Sequence, residues 1–217
     1  MRTTILGLVC LCLAAGSAHG QLTSNKMMKI VTRDTSPDTP AASFGAKPKT
    51  LYRMGETYGR SEEMPDPDQG IHGLMVIAEP KVWMVNLWDK TGRLIIDPGP
   101  TYVFRASIVP PEGRNQRPPL RDFEFGREYD FLRLHKAAHS KETIEGRQYD
   151  ALSVSLEGYT LTLLSTLGKD QPFRVIVRKA GQVVCQYDYD EYKTDLAPQM
   201  DLFAPPDNVK IVEAVKP

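Results

Sequence analysis

Alternating apolar and polar residues run from Gln148 to Leu164, in the sequence QYDALSVSLEGYTLTLL. Because successive side chains of a strand point to opposite faces, this alternation predicts two strands with one apolar face each. Glu157-Gly158 lies between them and fits a two-residue turn, which brings both apolar faces to the same side. The residues of that side are Leu152, Val154, Leu156, Tyr159, Leu161 and Leu163.

A second hairpin is predicted immediately downstream, and the pattern continues to Glu213. Lys179-Ala180-Gly181 fits a three-residue loop with glycine in the left-handed conformation. That loop length pairs Arg178 with Gln182 and sets the register of the two strands. The predicted cross-strand pairs are Val177 with Val183, Val175 with Cys185, and Phe173 with Tyr187. The chain therefore predicts an antiparallel meander with one apolar face, while Arg174, Asp188 and Asp190 face the other way.

Further strands and one helix are predicted before this meander. Ile71–Ala78 and Val82–Trp88 are apolar on both faces, which predicts that other parts of the chain cover both sides. Phe125–Ala138 has a wide apolar stripe at helical spacing. Shorter strand patterns occur at Met27–Val31, Lys49–Met54, Thr57–Glu62, Leu94–Ile96 and Tyr102–Ile108. About ten strands beside one helix predict an α+β fold that is mostly β, with the helix packed across an antiparallel sheet.

The N-terminus has the pattern of a secretory signal peptide. Arg2 precedes a short apolar run and the small-residue site Ala18-His19-Gly20, so residues 1–20 are predicted to be removed. No small-residue box precedes Cys10 or Cys12, as attachment of a lipid anchor requires. We therefore predict a secreted or periplasmic protein without a lipid anchor. Residues 21–217 are predicted to form a single domain, and the protein is predicted to be a monomer.

Charge and motif content argue against several classes of function. The chain has 27 basic and 27 acidic residues, whereas nucleic-acid binding needs a basic surface. After residue 20 no run approaches the ~18 apolar residues of a membrane span. We find no phosphate loop, dinucleotide fingerprint, nucleophile elbow or zinc motif, so no catalytic residue, cofactor or metal is predicted. Cys185 is the one cysteine of the predicted mature chain and is predicted to face inward as a small apolar residue.

The C-terminal part resembles a known family. Gln186–Tyr192 and the segment Met200–Val212 are similar to the last strands and the closing motif of the periplasmic outer-membrane lipoprotein carriers, and Gly59–Glu62 is similar to their early G-x-x-R-x-E strand. The resemblance implies a strongly curved, half-open antiparallel sheet whose concave apolar side, closed by helices, accepts acyl chains. The carriers have an amphipathic helix near the mature N-terminus, whereas Asp34–Lys49 is punctuated by proline.

Three functions are open at this point. The first is non-enzymatic binding or carriage of a lipid, lipoprotein acyl chains or another hydrophobic ligand, exchanged with a membrane-associated donor or acceptor protein. The second is a regulatory or scaffold module that docks a protein partner through the exposed loop Pro110–Arg121, which is rich in proline and arginine. The third is a hydrolase without a recognisable motif.

A ligand cavity is predicted on the apolar face of the meander. One helix of about 20 Å cannot cover about ten strands, so a ligand would fill the rest. The predicted lining residues are Trp83, Phe104, Leu161, Leu163, Phe173, Val175 and Tyr187.

Overall fold

The fold is an open, curved sheet of twelve strands in a computed structural model that describes residues 26–109 and 120–213. The predicted signal peptide and most of the Pro110–Arg121 loop lie outside the described residues. The strands are β1 Met27–Asp34, β2 Lys49–Met54, β3 Tyr58–Glu63, β4 Gly73–Ala78, β5 Lys81–Asn86, β6 Thr91–Ile96, β7 Ala138–Ile144, β8 Arg147–Leu156, β9 Tyr159–Thr166, β10 Pro172–Lys179, β11 Gln182–Leu196 and β12 Lys210–Glu213.

Two antiparallel meanders meet in the middle of this sheet. The strand order is β12-β6-β5-β4-β3-β2-β1-β11-β10-β9-β8-β7, so β1 joins the N-terminal meander to β11 of the C-terminal one. Strand β12 adds to the edge of β6 in parallel. The helix α1, Glu128–Leu134, packs against the sheet near β8. The predicted fold class, a mostly β chain with an antiparallel sheet and one main helix, is confirmed.

The sheet has two faces with different cover. Directly paired residues of neighbouring strands project their side chains to the same face, so the register assigns each residue to a face. We call the face that carries α1 the inner face, and its core includes Ile30, Leu161 and Leu163. The outer face carries three smaller apolar clusters, two of them covered by residues of the C-terminal segment such as Phe203 and Ile211.

The hairpin that the sequence predicts first is confirmed. Glu157 and Gly158 both have positive φ, of 52° and 82°, as a two-residue turn between strands requires. Leu152 then pairs with Leu163, and Val154 with Leu161.

The predicted register of the next hairpin is wrong. Its turn is the two-residue Ala180-Gly181, with φ of 49° and 82°, and Lys179 pairs with Gln182. A register shift follows at once, so that Val177 pairs with Cys185 instead of Val183, and Val175 with Tyr187. The bulge restores the inward position of Cys185 but turns Val183 to the outer face.

The predicted helix is too long at both ends. Gly126 has φ of +83° before α1, and Lys136 has φ of 53° after it. Ala138 then begins β7, an edge strand whose residues are mostly exposed and show no alternation that would have revealed it. In the described part of the chain no helix is both long enough and apolar enough to cross a membrane.

Candidate ligand-binding face

The inner face of the C-terminal meander is a buried apolar core. Leu161, Leu163 and Val175 have no exposed surface, and Tyr187 packs at the edge of the same cluster. The cover comes from α1 and from residues on either side of 110–119. The covering residues are Ile108, Val109, Leu120, Phe123, Phe131 and Leu132. Chain segments that precede the helix therefore cover the part of this apolar face that the helix alone does not reach.

The other three predicted lining residues do not join this cluster. Phe104 is buried on the inner face, stacked over Arg53 with its ring centroid 5.3 Å from the guanidinium and packed onto Gly59, where a Cβ would approach it to 2.7 Å. Trp83 and Phe173 lie on the outer face, contrary to the prediction. Trp83 belongs to a strand that is apolar on both sides, so its sequence did not specify which side faces the helix.

Phe173 is moved by a second bulge. Pro172 pairs with Ser165 and Arg174 with Leu164, so the register shifts at Phe173. Its ring stacks on Tyr149 at 4.4 Å, on the outer face beside Val183. A single extra residue thereby reverses the face that simple alternation predicts.

A buried ion pair fastens the cover to the inner face. Nη1 of Arg53 donates to Oε2 of Glu124 at 2.7 Å, and both side chains are almost completely buried. Arg53 also donates to the carbonyls of Phe104 and Phe125, while Arg105 donates to the second oxygen of Glu124 at 2.8 Å. The pKa of Arg53 is lowered, because burial outweighs the attraction of Glu124, which raises it. One guanidinium of β2 therefore holds the chain on both sides of residues 110–119, at Phe104 before them and at Glu124 and Phe125 after them.

A second buried carboxyl group links α1 to β11. The hydroxyl of Tyr189 donates to Oε1 of Glu128 at 2.6 Å, and Tyr192 donates to Oε2 at 3.3 Å. The amide of Gly126 donates to Oε1 at 2.9 Å. Burial raises the pKa of Glu128 in spite of these donors, and burial also raises the pKa of both tyrosines. The helix is thus held to the sheet by polar as well as apolar contacts.

A cavity of about 220 Å³ lies between the start of α1 and the ends of β1, β2 and β11. Its charged side chains are paired, as Lys26 is with Asp195 at 2.7 Å and Arg127 with Glu56 at 3.3 Å. The lining residues are Lys26, Met28, Arg53, Gly55, Gly126, Arg127, Tyr129, Asp130, Tyr192, Thr194 and Asp195. None of the predicted lining residues belongs to this cavity.

A shallower depression of about 280 Å³ lies between α1 and strands β7 to β9. The hydroxyl of Tyr129 and Oγ of Ser165 are 2.9 Å apart, and Nε2 of His139 lies 3.2 Å from Oδ1 of Asp150. Burial raises the pKa of Tyr129 to about 12. Within the described residues no histidine is hydrogen-bonded to Ser165, and His139 contacts Asp150 instead.

The inner face of the sheet is exposed at the edge formed by β5, β6 and β12. Met84, Ile95 and Val212 are 54%, 38% and 57% exposed. They share this face with Met75 and Val82, because Met75 pairs with Met84, Met84 with Arg93, Arg93 with Val212, and Val82 with Ile95. We call Met75, Val82, Met84, Ile95 and Val212 the open patch. The sequence predicted cover on both faces of β4 and β5; Ile77 of β4 is indeed buried on the inner face, but Met84 of β5 is exposed there.

The thiol of Cys185 provides a check on the C-terminal register. Cys185 is buried in the inner core and burial raises its pKa from 9.0 to about 12. We expect a disulfide reagent at pH 8 to label the native protein at least about a thousandfold more slowly than the protein unfolded in guanidinium, because thiolate and access are both lost. Equal rates in the two states would contradict the inward position of Cys185.

Comparison with known proteins concerns the fold. No protein-family model matches the chain, and no curated protein is significantly similar to it. A similar solved structure is an uncharacterized conserved protein from Thermus thermophilus, with 12% identity, a TM-score of 0.48, and coverage of 88% of this chain and 92% of that chain.

Two other similar structures come from named systems. The Pseudomonas aeruginosa MucA/MucB complex gives 10% identity and a TM-score of 0.43 over 86% of this chain and 58% of that chain. A putative outer membrane lipoprotein-sorting protein domain from Vibrio parahaemolyticus gives 11% identity and a TM-score of 0.38 over 82% and 89%. Since each TM-score is below 0.5, we infer function from the surfaces of this chain.

Proposed function

We propose that this protein binds an apolar ligand of the acyl-chain class on the open patch of its inner face. The observation that carries the proposal is the exposure of Met84, Ile95 and Val212 on one face of three neighbouring strands, around Arg93. Scattered exposed apolar side chains are ordinary, but a group of them on one face of neighbouring strands, next to Met75 and Val82, is typical of a binding surface. The family resemblance of the sequence supports the same ligand class.

The dimensions of the open patch suit one or two chains. Strands β4, β5, β6 and β12 are adjacent, and three intervals of about 4.8 Å make the patch about 14 Å wide. Each methylene group that leaves water contributes about 0.8 kcal/mol. A single acyl chain laid across these strands therefore gains several kcal/mol without any rearrangement of the core.

The predicted lining residues of the C-terminal meander are not part of the proposed binding surface. Leu161, Leu163 and Val175 are covered by α1 and its preceding segment, so a ligand reaches them only if that cover moves. Phe104 is buried at the junction of the covered half with the open half. Among the described residues, the open patch is an exposed part of the inner face, so a ligand can reach it without movement of that cover.

The substitution Met84→Glu tests the open patch. We expect it to weaken binding of a fluorescent fatty acyl probe at least about tenfold, because a carboxylate in contact with the chain must be desolvated. We expect the free energy of unfolding to change by less than about 0.5 kcal/mol, since Met84 is exposed. Fluorescence titration and urea unfolding measure the two quantities.

The matched control is Met200→Glu. Met200 is also about half exposed but begins the 3-10 helix Met200–Phe203, whose Phe203 packs on the outer face. Probe affinity should be unchanged in this variant. The proposal would be contradicted if the wild-type protein bound no acyl probe. It would also be contradicted if Met84→Glu left the affinity for the probe unchanged.

A further inference from the structure

We propose that the ligand of the open patch is a single-chain anionic amphiphile, with its head group held by Arg93 and Lys210. This inference rests on the proposed function and names the chemistry of its ligand. It is carried by two cationic side chains that lie on the same face as the open patch and have no acidic partner among the described residues.

Arg93 lies within the apolar surface. Its direct cross-strand partners are Met84 on β5 and Val212 on β12, so its side chain projects between two exposed apolar side chains. Arg93 is exposed and forms no ion pair or hydrogen bond with a described side chain. Many other arginines of the chain have a carboxylate partner: Arg33, Arg53, Arg60, Arg105, Arg127, Arg133 and Arg174.

Lys210 adds a second cation at the same edge. It pairs with Thr91, and side chains alternate along β6 and β12, so Lys210 faces the same side as Arg93 and Val212. The nearby carboxylate of Asp89 in the β5–β6 turn accepts hydrogen bonds from the amide and the hydroxyl of Thr91. Lys210 itself is exposed and has no carboxylate partner in the described part of the chain.

This arrangement selects an amphiphile by its charge. A neutral chain laid on the open patch would desolvate Arg93 without giving it a partner, which costs free energy. A carboxylate or phosphate head group would accept two hydrogen bonds from the guanidinium while its chain covers Met84 and Ile95. A cationic head group would be repelled by both side chains.

Displacement of the acyl probe by three amphiphiles of equal chain length tests the inference. We expect dodecanoate to displace the probe at a concentration about tenfold lower than dodecanol, and dodecyltrimethylammonium to be weaker than dodecanol, all as monomers at low ionic strength. In the double variant Arg93→Gln/Lys210→Gln the three should become equal to within about twofold. Arg147→Gln, at an exposed arginine of β8, is the control and should keep the wild-type order.

The outcomes separate the two proposals. If dodecanoate and dodecanol compete equally and the double variant changes nothing, the head-group site is wrong while acyl binding on the open patch stands. If no amphiphile displaces a probe that binds, or the probe does not bind, the proposed function fails as well. Binding to vesicles of phosphatidylglycerol without competition by monomeric dodecanoate would overturn the inference in favour of a bilayer surface.

Discussion

Leu163→Glu is expected to unfold the protein at room temperature. Leu163 has no exposed surface and lies within the inner core formed by β8 to β11 and α1. A carboxylate placed there without a partner costs several kcal/mol, and a domain of this size has only about 5–15 kcal/mol of stability in total. Far-UV circular dichroism and urea unfolding of the purified variant should show loss of the cooperative transition, or a midpoint too low to define.

The matched control for this substitution is Leu167→Glu. Leu167 follows the end of β9 and is exposed, so its replacement by glutamate should change stability by less than about 0.5 kcal/mol. A folded Leu163→Glu protein that no longer binds an acyl probe would contradict the assignment of Leu163 to a closely packed core. That result would instead place the ligand on the face that the sequence analysis predicted.

The sequence predicts those parts of the fold that depend on local alternation and turn chemistry. Glu157-Gly158 specified one hairpin completely, because two residues with positive φ fix the length of the turn and hence the register. The predicted three-residue loop Lys179-Ala180-Gly181 is wrong, because the chain turns on Ala180-Gly181 alone and adds a bulge. Bulges shift the register by one residue, so the face of Phe173 could not be derived from alternation alone.

The candidate site was harder to predict because it depends on which distant segments of the chain pack on the sheet. The open patch and the inner core have the same kind of sequence, and they differ only in what packs on them. Nothing local in Ile108, Val109 or Phe123 indicates that they cover a sheet some fifty residues further along the chain. Strands β4 and β5 are apolar on both faces, and the sequence did not indicate that the C-terminal segment covers their outer face.

Removing either partner of the Arg53–Glu124 pair should destabilise the protein by about 3–5 kcal/mol. Glu124→Leu removes the carboxylate that the buried guanidinium of Arg53 contacts and leaves it carbonyl acceptors, and Arg53→Met leaves the carboxylate of Glu124 with Arg105 as its charged partner. Urea unfolding of each variant measures the loss. The exposed pair Arg133–Asp130 is the control, and its removal should cost less than about 0.5 kcal/mol.

The double variant Arg53→Met/Glu124→Leu shows what the buried pair contributes. Because the desolvation of two charges offsets much of their attraction, the double variant should be more stable than either single variant, with a coupling free energy of about 2 kcal/mol or more. Additive losses would mean that the two side chains act independently and that the 2.7 Å contact does not hold the cover. Coupling would instead identify the pair as the polar contact that holds Phe104 and Phe125 over β2.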